Sequence, residues 1–316
     1  MNSLKATGRT STNQLSPIGF IGLGRMGHPM ARNLVGAGFE VLANDQNPDV
    51  AARFRDTVHV DPMNDLSELA QRARVLITML PTSQIVRDVL IGEHGIAANL
   101  RPGAIVVDMS TSDPNDTRSL GTALADHGIA LVDAPVAGGV VFAEDGSLDI
   151  LTAGQRATVD RLAPIFSSVG RKTFYCGALG AAHAMKALNN YVNAAVMSIY
   201  MEALVAGKRF GLEDRTMREA LEAATLDRNH PYHKKIRKQV FTRTFDSRME
   251  LGLIAKDLDI ATSIARSVDM EVPLANAVSE LWSRAANELG GDVDQTEIVR
   301  FWERRAEVEL DDGQSR

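Results

Sequence analysis

The sequence predicts an α/β protein in which a doubly wound, largely parallel sheet precedes an all-helical domain, with one long helix joining the two. Three observations predict this fold. Short β-branched runs alternate with helix-length stretches as far as about residue 177. A glycine-rich turn follows the first of these runs. After Gly180 no strand-like run recurs, and an uninterrupted helical stretch of about 30 residues begins.

The predicted strands are short apolar runs bounded by Gly, Pro or Asp, as expected for strands that are buried on both faces of a parallel sheet. They occupy residues 18–22, 40–44, 74–80, 104–108 and 130–133, with two further candidates at 149–153 and 172–175. Intervening stretches such as 26–36 and 83–98 are long enough for the crossover helices that parallel strands require. The first half of the chain is therefore predicted to alternate strand and helix.

The second half is predicted to be helical. Its long helix spans 181–211 and is apolar on nearly every face, so we expect it to be buried between domains or subunits. Further helices are predicted near 216–224, 251–268, 275–288 and 295–307. The resulting domains are a disordered leader at 1–17, a sheet domain at 18–178, and a helical substrate and oligomerisation domain at 179–316.

Composition excludes several classes of function. The 316 residues carry 34 basic and 40 acidic side chains, which argues against a nucleic-acid partner because phosphate binding needs a surplus of cations. No apolar run approaches the roughly 18 residues of a membrane span, and residues 1–17 lack the apolar segment of a signal peptide. Cys176 is the single cysteine, and His230 and His233 have no third ligand at useful spacing, so no metal site is predicted. We expect a cytoplasmic protein.

The strongest motif is a G-x-G-x-x-G string that lies between the first strand and a helix, Gly22-Leu23-Gly24-Arg25-Met26-Gly27. The first glycine permits a tight turn, the second lets the backbone approach a pyrophosphate, and the third allows close helix–strand packing. The helix N-terminus attracts the anion with its free N–H groups. We therefore predict that residues 22–26 bind the cofactor and that 18–178 is a Rossmann-type NAD-binding domain. A glycine turn needed only for packing is the alternative.

Asp45 ends the second predicted strand, 18 residues after the last glycine of the motif. An acidic residue at this point hydrogen-bonds the ribose 2′-hydroxyl of NAD and repels the 2′-phosphate of NADP. Because Gln46 is uncharged, no arginine directly follows Asp45 to receive that phosphate, so the sequence favours NAD without excluding NADP. Leu80, Pro81 and Thr111 follow later strands at the same sheet edge. They are candidates for cofactor contact, or else ordinary turn formers and helix caps.

A polar cluster interrupts the long apolar helix. Lys186 and Asn190 are four residues apart and share a face, while Asn189 lies on the neighbouring stripe. Burying such side chains is costly unless they are paired or used. A desolvated lysine can donate and accept a proton near neutral pH, as hydride transfer between a nicotinamide and a carbonyl requires. A lysine that snorkels from the helix, with asparagines paired across an interface, is the alternative.

These segments resemble the β-hydroxyacid dehydrogenase family. The resemblance covers about residues 18–302 and rests on the stretches 19–27, 133–139, 177–190 and 256–258. It implies a nicotinamide-dependent dehydrogenase in which Lys186 is the general acid/base and Asn190 orients the lysine and the substrate. Asn189 is expected to contribute to substrate binding.

The resemblance also implies that the backbone amides of Gly138 and Gly139 hold the substrate carboxylate. Ala137 stands where the family usually carries a serine, and the lost hydroxyl would remove one substrate hydrogen bond, worth about 1 kcal/mol. Thr111 is expected to contact the cofactor, and Lys256 is expected near the nicotinamide. The identity of the substrate therefore stays open.

The predicted function is an NAD(P)-dependent oxidoreductase that interconverts a short 3-hydroxy acid and its semialdehyde, of the tartronate semialdehyde/glycerate or 3-hydroxyisobutyrate type. The alternative is a non-catalytic NAD-binding sensor or scaffold with the same fold. A decarboxylating 6-phosphogluconate-type enzyme is disfavoured, because that family has a histidine at the position of Asn189 and a larger helical half. The apolar helix at 181–211 further predicts a homodimer or homotetramer.

Overall fold

The computed structural model describes residues 14–227, 230–267 and 269–310, and within them the predicted α/β architecture is confirmed. The chain divides into two compact units, Met1–Tyr191 and Val192–Arg316. The first unit holds an eight-stranded sheet, and the described part of the second is helical. The division lies within the long helix, so one element contributes residues to both units.

The sheet of the first unit is doubly wound. Its strands are β1 (Ile18–Ile21), β2 (Val41–Asn44), β3 (Val75–Thr78), β4 (Ile105–Asp108), β5 (Ala130–Asp133), β6 (Val136–Ala137), β7 (Leu148–Ala153) and β8 (Gly170–Gly177). The order is β2-β1-β3-β4-β5-β7-β6, with β8 paired to β7. β1 to β5 are parallel, and β7 runs antiparallel to β5. The order reverses between β1 and β3, which is where open α/β sheets bind ligands.

The connecting helices of the first unit begin at residues suited to helix N-termini. They are α1 (Gly27–Gly36), α2 (Pro48–Val58), α3 (Leu66–Arg72), α4 (Ser83–Ile91), α5 (Pro114–Ala125), α6 (Val140–Glu144), α7 (Arg156–Arg161), α8 (Ala163–Val169) and the 30-residue α9 (Ala181–Phe210). The side chains of Asn47, Asp65, Thr82 and Asp113 accept hydrogen bonds from the first amides of α2, α3, α4 and α5. Each cap satisfies amides that have no partner inside the helix.

Both faces of the sheet are buried, which explains why the strand sequences are apolar throughout. Successive residues of a strand face opposite sides, so Phe20 and Ile77 belong to one core whereas Leu76 and Val106 belong to the other. Helices α1, α2 and α8 cover the first side with Leu34, Phe54 and Phe166. Helices α3, α4 and α5 cover the second side with Leu69, Leu90 and Leu120.

Residues 14–17 belong to the folded sheet domain, although they were predicted to be part of a disordered leader. Leu15 is buried in the core that contains Phe20, and the Arg74 amide donates to the Pro17 carbonyl at 2.8 Å. The remainder of the predicted leader, 1–13, lies outside the described residues. The two-residue strand β6 and the short helix α6 were not predicted either.

The second unit contains α10 (Asp214–Leu221), α11 (Leu251–Ser267), α12 (Pro273–Leu289) and α13 (Val299–Ala306), together with a 3₁₀ turn at Gln295–Ile298. Two π-helical segments, Glu222–Asp227 and Tyr232–Val240, occupy a stretch that was mostly without a predicted helix. The hydrophobic core of the second unit is small and includes Leu251, Ala285, Ile298 and Phe301. None of the helices that the structure describes combines the length and the apolar character needed to cross a bilayer.

Candidate cofactor-binding and catalytic site

The glycine-rich turn after β1 has one position that is open and two that are tightly packed. A Cβ atom on Gly22, whose φ is +98°, would lie 2.3 Å from the Met79 carbonyl oxygen. A Cβ on Gly27 would lie 1.9 Å from the Gly22 carbonyl oxygen. By contrast, nothing lies within 4 Å of a Cβ on Gly24. Gly22 and Gly27 therefore let β1, β3 and α1 approach closely, while Gly24 leaves its backbone open to an incoming group.

Asp45 fixes the shape of this turn. Its Oδ2 accepts a hydrogen bond from the Leu23 amide at 2.7 Å, and its Oδ1 accepts one from the Asn47 amide at 2.8 Å. The carboxylate is half-buried, and each oxygen retains a lone pair for a further donor such as a ribose hydroxyl. One side chain thus joins the end of β2 to the turn that follows β1.

A cleft of about 560 Å³ opens at the carboxyl ends of β1, β2 and β3, where the strand order reverses. It brings together seven of the predicted cofactor residues: Gly22, Gly24, Arg25, Met26, Asp45, Leu80 and Pro81. Its walls also include residues that were not predicted: Gln46, Asn47, Val50, Leu66, Ile85 and Val89. The turns that follow β1, β2 and β3 therefore line one cavity, and its volume is within the range of small-molecule sites.

Three predicted cofactor residues do not line this cleft. The side chain of Leu23 is fully buried in the core beneath the turn, and its amide already donates to Asp45. Thr111 is exposed in the loop after β4. Lys256 belongs to the second unit, where it is exposed and its Nζ lies 3.1 Å from Asp257 Oδ1.

Asp108, the last residue of β4, organises the next two turns. Its Oδ1 accepts hydrogen bonds from the Thr78 hydroxyl and the Ser110 amide, both at 3.0 Å, and its Oδ2 accepts one from the Ser112 hydroxyl at 2.7 Å. Ser110 Oγ in turn accepts from the Leu80 amide at 2.9 Å. The buried carboxylate therefore holds the turn that contributes Leu80 to the cleft.

Asp133, the last residue of β5, caps the long helix α9. Its carboxylate accepts hydrogen bonds from the amides of Gly180, Ala182 and His183, each at 3.0 Å. Asp133 is fully buried, and a buried carboxylate that accepts several backbone amides is well stabilised. The start of α9 is thereby fixed to the carboxyl edge of the sheet.

Lys186 lies less than two turns from this cap. Burial lowers the pKa of its amine from the ordinary value of 10.5. No described residue forms an ion pair or a hydrogen bond with the amine. Asn189 is half-buried and Asn190 is exposed on the same helix. A partly desolvated amine without a counter-ion is suited to exchanging a proton near neutral pH.

His183 fills the space between the carboxylates of Asp108 and Asp133 and is fully buried. The Thr117 hydroxyl donates to the Asp113 carbonyl at 2.9 Å, so it accepts from His183 Nδ1, which lies 2.7 Å away. This accounting assigns a proton to Nδ1. Nε2 has no hydrogen-bond partner among the described residues and lies 3.7 Å from Asp108 Oδ2. The ring links the start of α9 to α5.

The loop after β6 exposes backbone instead of polar side chains. Gly138 and Gly139 have φ angles of +130° and +81°, a region that strongly favours glycine. Within the described residues, neither amide donates a hydrogen bond to the protein. Ala137, the last residue of β6, is half-buried and carries no polar group. Two amides are therefore available to an anion at this loop.

Comparison with known families accounts for nearly the whole described chain. The NAD-binding domain of 6-phosphogluconate dehydrogenase matches residues 17–177. The NAD-binding domain of NADP-dependent 3-hydroxyisobutyrate dehydrogenase matches residues 180–302.

The chain belongs to the β-hydroxyacid dehydrogenase family. Its relatives include 2-(hydroxymethyl)glutarate dehydrogenase of Eubacterium barkeri, which is 31% identical over 94% of this chain and 98% of its own length. The mitochondrial 3-hydroxyisobutyrate dehydrogenase of Mus musculus is 30% identical over 89% of this chain and 85% of its own length. Among solved structures, Mycobacterium tuberculosis 3-hydroxyisobutyrate dehydrogenase with L-serine is 28% identical. That structure has a TM-score of 0.62 and covers 90% of this chain and 98% of its own chain.

Membership in the β-hydroxyacid dehydrogenase family makes the chain an NAD(P)-binding oxidoreductase that acts on CH–OH groups, and the predicted fold and cofactor class are confirmed. The residues present fit a dinucleotide, because Gly24 leaves open the space that any other side chain would fill. The described part of the chain contains no group of three or more His, Cys, Asp or Glu side chains arranged to hold a metal ion.

Sequence analysis missed the buried polar contacts of four residues, namely Asp108, Thr117, Asp133 and His183. Two of them carried a visible signal, since Asp108 and Asp133 each end a predicted strand. They are also register partners on neighbouring strands. The signal for Thr117 and His183 is absent from the local sequence, because the two residues are 66 positions apart.

Replacing Lys186 with methionine is expected to stabilise the protein at neutral pH. Because the pKa of Lys186 is lowered in the folded state, the unfolded chain binds its proton more tightly. The stability penalty is therefore full at pH values below the folded-state pKa. It shrinks as pH rises from there towards 10.5, where the unfolded chain also loses the proton.

Urea unfolding of Lys186→Met and the wild type between pH 7 and pH 10 measures this difference. Lys172, an exposed residue of β8, supplies the matched control Lys172→Met, for which no such pH dependence is expected. A gap between Lys186→Met and the wild type that stays constant or widens with pH contradicts the assignment.

Proposed function

We propose that the chain is an NAD-dependent dehydrogenase of short 3-hydroxy acids, which it interconverts with the corresponding semialdehydes. The observation that carries this proposal is the amine of Lys186, which is partly buried and has no partner among the described residues. It lies on a helix whose first turn is held by the buried Asp133. Cys176 is a free thiol, which suits the reducing cytoplasm that we propose as its location.

In the oxidising direction, the neutral Nζ of Lys186 accepts the proton of the substrate hydroxyl as that carbon becomes a carbonyl. Bound NAD⁺ supplies the acceptor for the hydride that leaves the same carbon. In the reducing direction, the ammonium form of Lys186 returns the proton to the carbonyl oxygen. Asn190, one turn further along α9, orients the lysine and the substrate, and Asn189 lines the substrate side.

We assign the substrate carboxylate to the backbone amides of Gly138 and Gly139. These amides have no acceptor among the described residues, and their positive φ angles leave no Cβ in the way. Ala137 adds no hydrogen bond of its own. The carboxylate and Lys186 Nζ then define the two ends of a short substrate.

We assign the cofactor to the cleft at the carboxyl ends of β1, β2 and β3. Gly24, Arg25 and Met26 approach the pyrophosphate at the start of α1. Asp45 accepts a hydrogen bond from the adenosine ribose. Leu80, Pro81 and Thr111 contact the cofactor further along the sheet edge, and Lys256 acts near the nicotinamide.

Replacing Lys186 with alanine is expected to lower kcat by about 10²- to 10⁴-fold, the usual contribution of a general acid/base, while NADH affinity stays near the wild-type value. Steady-state kinetics with 3-hydroxyisobutyrate and fluorescence titration with NADH measure the two quantities. Lys172→Ala, which removes an exposed lysine of the same unit, is expected to leave both unchanged.

Two outcomes separate the alternatives. Near-normal turnover by Lys186→Ala contradicts the role given to this amine. NADH binding without turnover on any C3 or C4 hydroxy acid, in the wild type, favours instead a non-catalytic sensor or scaffold.

Replacing Asp45 with asparagine is expected to raise the ratio of kcat/KM for NADP⁺ to that for NAD⁺ by about tenfold or more, a change of at least 1.4 kcal/mol. Asparagine removes the negative charge that repels a 2′-phosphate and keeps one oxygen that can accept from the Leu23 amide, although the Asn47 amide loses its acceptor. Initial rates with each dinucleotide measure the ratio. Asp49→Asn, an exposed substitution in α2, is the control, and an unchanged ratio in Asp45→Asn contradicts the cofactor assignment.

We further propose that the protein assembles as a homodimer or homotetramer through α9. The helix was predicted to be buried, yet in a single chain it exposes a series of large apolar side chains: Met185, Leu188, Val192, Val196, Met197, Ile199, Met201, Val205 and Phe210. An apolar surface of this extent is typical of an association site. A second copy of the same helix would cover it with matching side chains.

Sedimentation velocity is expected to show a dimer or tetramer for the wild type and a smaller species for the double variant Val192→Glu, Val196→Glu. These two residues are one turn apart, so the charges fall on the same face of α9. Val308→Glu, also at an exposed valine, is the control. A wild-type monomer, or an unchanged mass in the double variant, contradicts the proposal.

A further inference from the structure

The stretch that runs from the end of β6 into α6 carries only apolar side chains. From Ala137 to Phe142 the chain presents alanine, two glycines, two valines and a phenylalanine. The polar groups of this stretch are therefore those of its backbone. A substrate held here by its carboxylate has amide donors on one side and aliphatic or aromatic side chains around them.

Phe142 packs directly against the first of the two glycines. A Cβ atom on Gly138 would lie 2.9 Å from Phe142 Cβ and 3.1 Å from its Cγ and Cδ2. The aromatic side chain therefore occupies the position that a Gly138 side chain would take, two covalent bonds from the Gly138 amide nitrogen. The phenylalanine therefore lies against the Gly138 backbone.

The apolar side chains beside the amides are partly exposed to solvent and are not buried in the protein core. Phe142 is 45% exposed and Val141 is 66% exposed, although Ala143, the next residue, is buried. Exposed aromatic surface next to a polar anchor is the usual composition of a small-molecule site, in which apolar walls surround a few oriented polar groups.

We propose that Phe142 and Val141 form a specificity wall that selects 3-hydroxy acids whose carbon 2 carries an apolar group larger than methyl, such as a branched alkyl or benzyl group. Carbon 2 is bonded to the carboxylate carbon, so its substituent lies beside whatever flanks the two amides. A hydroxyl or ammonium group in that place would lose hydrogen bonds to water without gaining a side-chain partner. The inference rests on the proposed function, because it takes Gly138 and Gly139 as the carboxylate site.

A series of substrates that differ only at carbon 2 tests the wall. The series comprises 3-hydroxypropionate, 3-hydroxyisobutyrate, 2-isopropyl-3-hydroxypropionate, 2-benzyl-3-hydroxypropionate and glycerate. In the wild type, kcat/KM is expected to rise by about tenfold from the methyl to the isopropyl compound. This is less than the roughly 10- to 200-fold that each methylene gives in an enclosed apolar pocket, because Phe142 and Val141 are partly exposed. Glycerate is expected to be the poorest substrate of the five.

Phe142→Ala is expected to abolish this rise, so that the ratio of kcat/KM for the isopropyl compound to kcat/KM for 3-hydroxypropionate falls to about one, whatever happens to the absolute rates. Phe142→Leu keeps an apolar side chain and is expected to restore most of the preference for the isopropyl compound but not that for the benzyl compound. Phe174→Ala, which removes a phenylalanine of β8 that is 40% exposed, is the control and should change nothing.

Several results would overturn the inference. A wild-type enzyme that prefers glycerate, or a preference that survives in Phe142→Ala, shows that Phe142 does not set specificity. A lower sedimentation mass for Phe142→Ala shows that the side chain belongs to a subunit interface instead. Absence of turnover on all five compounds, with NADH binding intact, counts against the proposed function itself, so the two failures are distinguishable.

Discussion

The carboxylate of Asp133 is the interaction on which the rest of the site depends. It lies at the end of β5 and accepts three amides from the start of α9, so a single buried group holds the helix of Lys186 to the sheet. The chain that leaves Asp133 reaches Gly138 within five residues. Without this carboxylate the three amides would lose their acceptor in the interior, at about 1–3 kcal/mol for each group left unpaired. Asp133 therefore helps to position both the start of α9 and the glycines that are proposed to hold the substrate carboxylate.

Much of the fold could be predicted because its signals are local. Strands buried on both faces have continuous apolar runs, and the glycine spacing of the turn after β1 reflects contacts between backbone atoms. The elements that were missed are those whose local signal is weak. β6 has two residues and α6 has five, which are too short for periodicity to appear. Leu15 was assigned to a leader because its polar surroundings concealed one buried contact.

The residues of the cleft were predictable where residue type restricts backbone conformation or chemistry, as for Gly24 and Asp45. Polar contacts were not predictable where the partner lies far along the chain. Asp108 meets Thr78 across 30 positions, and His183 meets Thr117 across 66. These buried polar side chains form hydrogen bonds with one another at the edge of the sheet. Such a network stabilises one arrangement of the side chains, because leaving any buried member without a hydrogen bond costs free energy. Leu23 illustrates the converse, since it lies within the motif yet faces the core.

Asp45 has a consequence for how this protein could change over evolution or by engineering. The carboxylate proposed to discriminate between the two dinucleotides is also the acceptor that holds the Leu23 amide and so shapes the turn. A substitution that alters cofactor choice therefore disturbs the loop, and a mutation that relaxes the loop alters cofactor choice. A change of cofactor preference is therefore compatible with the turn only if residue 45 keeps an acceptor oxygen, as asparagine does, or if another group accepts from the Leu23 amide.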